Sequence, residues 1–368
     1  MPSRQPRTVP IIQLHDDQSG AAARLATRIV ATIAEPFEIA NQGFKIGCSV
    51  GVAVFPGNGS TPDLLRRNAN AALYSVKEDG RSRFRLFEPG MNTRLRDRVL
   101  IEADIAEAPA RQQFALSCQP LCDAETLRIV GYEALLRWTR PTWGPMAPDG
   151  FVAVAEASGL IVPLGRWALE AACVEAARWN PAIQLAVNLS PLQFRQPDLP
   201  QQVADVLART GLSPRRLDLE VTEGLLLDDA GLVLDTMNAL RALGVGMTLD
   251  DFGTACASLS YLRRFPFDRI KIDKSFIKNI TDDNETLAIV QTILYLGKRL
   301  KLSVAAEGQG QGQLDILRGL GCTLAQGYLT GRPVPSEQMP TQAAQQVGRE
   351  PAATVLPGPC RNLWLWVV

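Results

Sequence analysis

The chain has 368 residues, and its 38 Lys+Arg balance its 38 Asp+Glu, so the net charge is zero. That balance argues against a broadly basic surface, and no DNA or RNA partner is expected; a phosphate-bearing ligand at a local site stays compatible with it. Apolar residues make up 46% and charged residues 21%, as in globular proteins with a sizeable core, and the single histidine, His15, excludes a histidine-built metal centre.

No apolar run approaches the roughly 20 residues of a spanning helix, so no transmembrane segment is expected. Seven scattered cysteines and no secretory-type leader point to a reducing cytoplasm. Residues 1–20 read as a disordered lead. ARLATRIVATIAEPF has helical apolar spacing and stops at Pro36. FEIANQGFKIGCSVGVAVFP reads as two strands around an Asn-Gln-Gly turn. TPDLLRRNANAALYSVKEDGR reads as a helix ending at Gly80, and FRLFEP as a short strand. These pieces form a front segment over residues 21–90. Residues 91–111 have the charged, amphipathic pattern of a linker helix. Residues 346–368 carry Pro, Gly and Trp without periodicity and read as an irregular tail.

Between residues 112 and 345 short apolar runs alternate with helical segments. The strand-like runs are ALSCQPL, RIVGYEALLRW, IQLAVNLS, RLDLEVTE, GVGMTLDD, FDRIKIDK, LSVAAEG and CTLAQGYL. Repeated strand–helix units imply parallel strands. About eight of them over roughly 230 residues suit an α/β protein with a TIM-like (β/α)8 barrel. An open doubly wound sheet is the alternative, weakened by the missing Gly-rich phosphate fingerprint.

Polar residues recur where these strands end. Glu133 follows RIVGY, and Asn188, Glu220, the Asp250–Asp251 pair, Glu307 and Gln326 close their own runs; Lys271 and Asp273 sit two apart in RIKID. In a parallel barrel those ends share one rim, where active sites form. Each residue alone could cap the next helix or sit in a turn. Seven in register are hard to explain as caps. Side by side on a regular strand, Asp250 and Asp251 would face opposite ways, so one must lie where the strand breaks. Their mutual repulsion would leave one protonated unless a cation intervened. Such an oxygen-rich set suits Mg²⁺ or Mn²⁺, with Ca²⁺ a non-productive competitor. Two ions would suit phosphoryl chemistry. Lys271 could orient a nucleophilic water or simply form a structural salt bridge.

These residues lie in motifs that resemble the EAL-domain cyclic di-GMP phosphodiesterases. YEALLRW is preceded by SCQP and followed by AVNLS, LEVTE, LDDFGT, IKIDKSFI, AAEG and QGYLTGRP, in family order over roughly residues 98–340. The resemblance implies a modified TIM barrel that cleaves cyclic di-GMP to linear pGpG with Mg²⁺ or Mn²⁺. It implies that Glu133, Asn188, Glu220, Asp250, Asp251 and Glu307 ligate or bridge two metals. Lys271 would orient the attacking water, Asp273 would support the metal–water network and Gln326 would hold the site. Glu223 would anchor the loop after Asp251. Gln119, Leu135 and Arg137 would contact the dinucleotide, although Arg137 also suits a surface ion pair.

The family pattern is broken after DDFGT, where Ala255, Cys256 and Ala257 replace the usual Gly-Tyr-Ser-Ser character, and after AAEG, where Gln309 and Gly310 stand. In relatives the first loop couples homodimer formation to metal binding, so a homodimer through the barrel is expected and its regulation altered. A second reading is a catalytically silent cyclic di-GMP receptor. An unrelated metal-dependent barrel, such as an aldolase, is disfavoured by the motif order. The front segment resembles the C-terminal half of a degenerate GGDEF domain, through KIGCSVGVAVFP, NANAALYSVKEDGR and FRLFEP. GG(D/E)EF is absent and Asn70 stands where Asp is common, so no diguanylate cyclase activity is expected.

Overall fold

The computed structural model describes residues 18–39, 42–78, 82–141, 143–227, 230–254, 259–308 and 310–339. The expected lead (except Gln18–Gly20), the tail and the altered residues 255–257 and 309 lie outside them. The chain divides into two compact units, Met1–Ala103 and Asp104–Val368.

In the first unit a helix spans Gln18–Ala34 and ends just before Pro36. Strands Phe37–Ile39 and Gln42–Phe44 form an antiparallel pair. The expected second strand is in fact two. Its later part, Val50–Val52, leaves that pair and runs parallel to Phe84–Leu86. Gly51 explains why it belongs there. A Cβ at Gly51 would overlap backbone of Ala69 and Leu73, so the missing side chain lets helix Pro62–Glu78 press onto the strand. Ala71, Ala72, Phe87 and Met91 form a small core beside this contact. The expected linker is a helix over Gly90–Glu107.

The second unit is a closed barrel of eight strands. In chain order they are β1 (Phe114–Asp123), β2 (Ile129–Arg140), β3 (Gln184–Asn188), β4 (Leu217–Thr222), β5 (Gly246–Phe252), β6 (Arg269–Ile272), β7 (Ser303–Glu307) and β8 (Leu324–Gln326). β2 to β8 run parallel, each beside the next. β1 is antiparallel to both β2 and β8 and closes the ring. This departs from an all-parallel barrel because only a short turn joins β1 to β2, too little chain for a crossover helix. The other connections carry helices, among them Ile161–Ala176, Leu199–Thr210, Ala230–Ala242, Asn284–Leu300 and Gln311–Gly319.

Period-two alternation sorts the strand residues. Leu217, Leu219, Val221, Met247, Leu249, Ile270, Ile272, Val304 and Ala306 join the main apolar core. That core also takes Val203, Val206 and Leu207 from one helix and Val290, Ile293 and Leu294 from another, at helical spacing. The helices end or start where local chemistry demands. Gly211 adopts φ 71° after Leu199–Thr210, and the Asp283 side chain accepts from Glu285 N at 3.0 Å to start Asn284–Leu300. The alternate strand positions are polar: Asp218, Glu220, Thr248, Asp250, Arg269, Lys271 and Glu307. The barrel thus has an oily jacket and a charged lining. No helix among the described residues is long and apolar enough to cross a membrane.

Candidate active site

The charged lining converges on one atom. Lys271, 2% exposed, projects from β6 and places its Nζ 3.0 Å from Glu220 Oε2 on β4 and 3.1 Å from Glu133 Oε2 on β2. Asp250 Oδ1 on β5 and Glu307 Oε1 on β7 each lie 3.4 Å away. Parallel register is the cause: Asn188 pairs with Glu220, Ala186 with Glu133, Lys271 with Ala305 and Glu307 with Gln326, so the polar ends meet at one rim.

Amides fix the remaining oxygens. Gln326 Nε2 donates to Glu133 Oε2 at 2.7 Å, and Asn188 Nδ2 donates to Glu133 Oε1 at 2.6 Å. Glu133 therefore cannot rotate without breaking bonds to three elements. Burial alone would push its carboxyl up, but Lys271 and the two amides outweigh burial and hold it below the usual carboxylate range.

The others go the opposite way. Burial pushes Glu220 well up, with Glu133 and Asp250 adding to the rise against the pull of Lys271. Asp250 is raised chiefly by burial. Glu307 is pushed up to about 7, first by burial and then by Glu133 and Asp250, again against Lys271. For Lys271, burial lowers the pKa, and the surrounding carboxylates overcome this to hold it well above the ordinary value.

The aspartate pair occupies a bulge. The β5–β6 register slips between Leu249 and Phe252, and Asp251 takes φ 54°. Asp251 N donates to Asp250 Oδ1 at 2.9 Å, which locks the kink. Asp251 is therefore the bulged residue within β5, and its carboxyl is pushed up to about 6 by burial and by Asp250 and Asp273. Two residues on, Gly253 adopts φ 100° and donates its N–H to Glu223 Oε1 at 2.8 Å. The buried Glu223 thus fastens the loop that follows the pair.

Four expected residues stand outside the central network. Asp273 caps helix Lys274–Lys278, accepting from Ser275 N at 2.9 Å, and acts on Asp251 through its charge. Gln119 lies opposite Glu133 on β1 and donates to the Gly331 carbonyl at 3.5 Å. Arg137 on β2 is half-buried and donates to the Leu136 carbonyl at 2.9 Å; burial lowers its pKa while Glu133 opposes this. Leu135, half-buried, pairs with Ser117.

A second polar layer escaped the sequence reading. One step below Glu220 and Lys271, Asp218 Oδ2 accepts from Arg269 Nη1 at 2.6 Å and from Thr248 Oγ1 at 2.9 Å. Arg269 also donates to Gln184 Oε1 at 2.9 Å. The signal was present as polar residues two positions before Glu220 and Lys271, on the same strand face. Gly327 was missed as well. It has φ 147°, and a Cβ there would overlap the Gly308 carbonyl oxygen. Gly308 N bonds the Gln326 carbonyl at 2.8 Å, so this close approach joins the loops after Glu307 and Gln326.

Four carboxyls and Asp251 face a single ammonium, so with all of them ionised the site would carry a surplus of negative charge. Oxygen donors with surplus negative charge fit hard divalent cations. Among the described residues no three such side chains already form a metal shell. The point they share is held by the Lys271 ammonium.

A closed barrel with an acidic, lysine-centred rim at the C-terminal ends of its parallel strands defines the class: a TIM-like α/β barrel. The chain belongs to the EAL domain family, whose model matches residues 102–333. Residues 9–83 match the diguanylate cyclase GGDEF domain. A Caulobacter vibrioides uncharacterized signaling protein is 44% identical over 324 residues, covering 88% of this chain and 40% of that one. The Pseudomonas aeruginosa bifunctional diguanylate cyclase/cyclic di-GMP phosphodiesterase MucR is 40% identical over 323 residues, covering 86% and 47%. The chain spans less than half the length of these curated relatives. A solved structure described as the PaMucR phosphodiesterase in complex with c-di-GMP aligns with TM-score 0.63 at 41% identity, covering 65% of this chain and 99% of that one.

Proposed function

We propose that the barrel hydrolyses cyclic di-GMP to linear pGpG with the help of Mg²⁺ or Mn²⁺. The supporting observation is the convergence of Glu133, Glu220, Asp250 and Glu307 on Lys271 Nζ within 3.0–3.4 Å. The match to relatives described as cyclic di-GMP phosphodiesterases supplies the substrate. Glu133, Asn188, Glu220, Asp250, Asp251 and Glu307 are the residues that would hold two cations. Ca²⁺ would occupy the same oxygens without supporting turnover. Bound there, the cations supply positive charge and Lewis acidity to a phosphodiester.

The chain's own groups do the rest. Asn188 and Gln326 keep the Glu133 oxygens oriented. Lys271 presents an ammonium proton to the attacking water and offsets charge that develops on phosphorus-bound oxygen. Glu223 holds the loop that follows Asp251, and Asp273 would support the metal–water network beside it. Arg137, Gln119 and Leu135 would contact the dinucleotide, with Arg137 on a phosphate oxygen.

Purified protein incubated with cyclic di-GMP and Mn²⁺ should release the linear dinucleotide, and Glu133→Ala should abolish it. Tight binding without product at any Mn²⁺ or Mg²⁺ concentration would replace this reading with that of a silent receptor. Neither binding nor product would remove both.

A further inference from the structure

The opposite end of the barrel carries a cavity of about 340 Å³ that the proposed reaction does not use. It opens between the N-terminal ends of β4, β5 and β6, and four arginines line it: Arg215, Arg216, Arg241 and Arg269. Two aspartates accompany them. Asp218 is taken up by Arg269 at 2.6 Å, deep in the wall. Asp268 meets Arg241 at 3.3 Å, with both side chains well exposed, so this pair is weak.

Among the described residues the other two arginines have no acidic partner. Arg216 donates from Nε to the Ile183 carbonyl at 2.8 Å and from Nη2 to the Ala176 carbonyl at 2.9 Å. Neutral carbonyls fix its guanidinium and leave its charge uncompensated. Arg215 is exposed and has no side-chain partner among the described residues. Gly244 and Gly246 line the same cavity and place no side chain in it. A Cβ on Gly244 would approach Arg215 Cγ to 3.8 Å.

We infer that this cavity is an anion site for a phosphate monoester of about pentose-phosphate size. Two guanidiniums without an acidic partner suit a phosphate dianion: Arg215 offers a free planar donor fork, and Arg216, with Nε and Nη2 taken by carbonyls, adds its charge and its Nη1 donors. A lone phosphate would fill little of the space, and the volume lies at the small end of ligand pockets. Rim stability alone requires Arg216 and Arg269, whose bonds tie chain segments together. It gives no task to Arg215.

The test is calorimetric titration of the full chain, at fixed ionic strength, with ribose 5-phosphate and separately with inorganic phosphate. Saturable binding is expected, weakened at least about tenfold in Arg215→Ala/Arg241→Ala. Both replaced residues are exposed, so the melting temperature should hold. Arg166→Ala, an exposed arginine elsewhere, should bind as the parent does. Preference for ribose 5-phosphate supports the monoester; equal affinity for inorganic phosphate overturns that part of the proposal and leaves a free-anion site. Three results overturn it: no saturable binding of either probe up to about 10 mM, unchanged affinity in the double variant, or an equal loss in Arg166→Ala. None of these bears on hydrolysis at the opposite rim.

Discussion

Replacing Lys271 by Met tests the electrostatic logic of the site without changing its volume much. The ammonium faces four carboxylates at 3.0–3.4 Å and is 2% exposed. At an effective dielectric of about 20, each such contact is worth about 5 kcal/mol before solvation is counted. Desolvating the ammonium offsets most of that sum. Removing one partner of a buried ionic group nonetheless costs about 3–5 kcal/mol net, because the remaining charge is stranded. In a barrel of this size that is a fall of about 6–20 °C in melting temperature. The fall should depend on pH. Without Lys271, Glu220, Asp250 and Glu307 rise further above their ordinary range and Glu133 loses the main cause that holds it low. A raised carboxyl contributes stability below its unfolded pKa and loses it as pH rises through the folded value. Glu307 already stands at about 7, so the penalty should be smaller at pH 5, where protons replace the lost cation, than at pH 8. Thermal denaturation by circular dichroism in chelator, at both pH values, reads this directly. A variant as stable as the parent at pH 8 would refute the claim that the ammonium offsets these carboxylates.

The lower polar layer should behave in the same way. Arg269→Met strands the buried Asp218 and should cost about 3–5 kcal/mol by urea denaturation, with Arg269→Met/Asp218→Leu recovering at least half; a double variant no better than the single would contradict the pairing. Gly327→Ala must hold an L-residue at φ 147° with its Cβ against the Gly308 carbonyl oxygen. It should lose about 1–3 kcal/mol and most hydrolysis, since the shifted Gly308 adjoins Glu307, and an unchanged denaturation midpoint would count against it. On the proposed metal reading, Mn²⁺ displaces protons from Glu307 and Asp251, which sit near 7 and 6. More protons should therefore be released at pH 6 than at pH 8, measured as the dependence of calorimetric heat on buffer ionisation enthalpy. Equal release at both pH values would exclude those two carboxyls as the competing sites.

The upper layer of this site was legible because each member closes its own apolar run. Strand periodicity located Glu220 and Lys271, and the need for adjacent aspartates to diverge anticipated the bulge at Asp251. What escaped was non-local. Asp218 and Arg269 look like ordinary polar residues at strand starts, and only barrel closure brings them within 2.6 Å. The reversal of β1 was equally hidden in its composition, since its direction follows from the length of the turn to β2. In the first unit, Gly51 decides which strand the helix covers, but its role appears only once the helix is seen to press against it. Asp273 shows the limit of reading residue types: the side chain expected in a water network is also the cap of the next helix.

The two layers explain how a barrel can keep so many buried acids. In the lower layer charge is nearly matched, with Arg269, Thr248 and Gln184 gathered about Asp218, although Asp218 Oδ1 has no hydrogen-bond partner among the described residues. In the upper layer the match is withheld: Lys271 serves four carboxylates at once, and of these Glu133 is held low while burial and mutual repulsion raise Glu220, Asp250 and Glu307. A purely structural ion pair would have no reason to gather acids beyond the first. The surplus costs stability in the isolated protein and becomes useful only when positive charge arrives from outside. Divalent cations would supply it on the proposed reading, so the destabilised upper layer is the part of the barrel built for binding and the lower layer is the part that holds the strands in register beneath it.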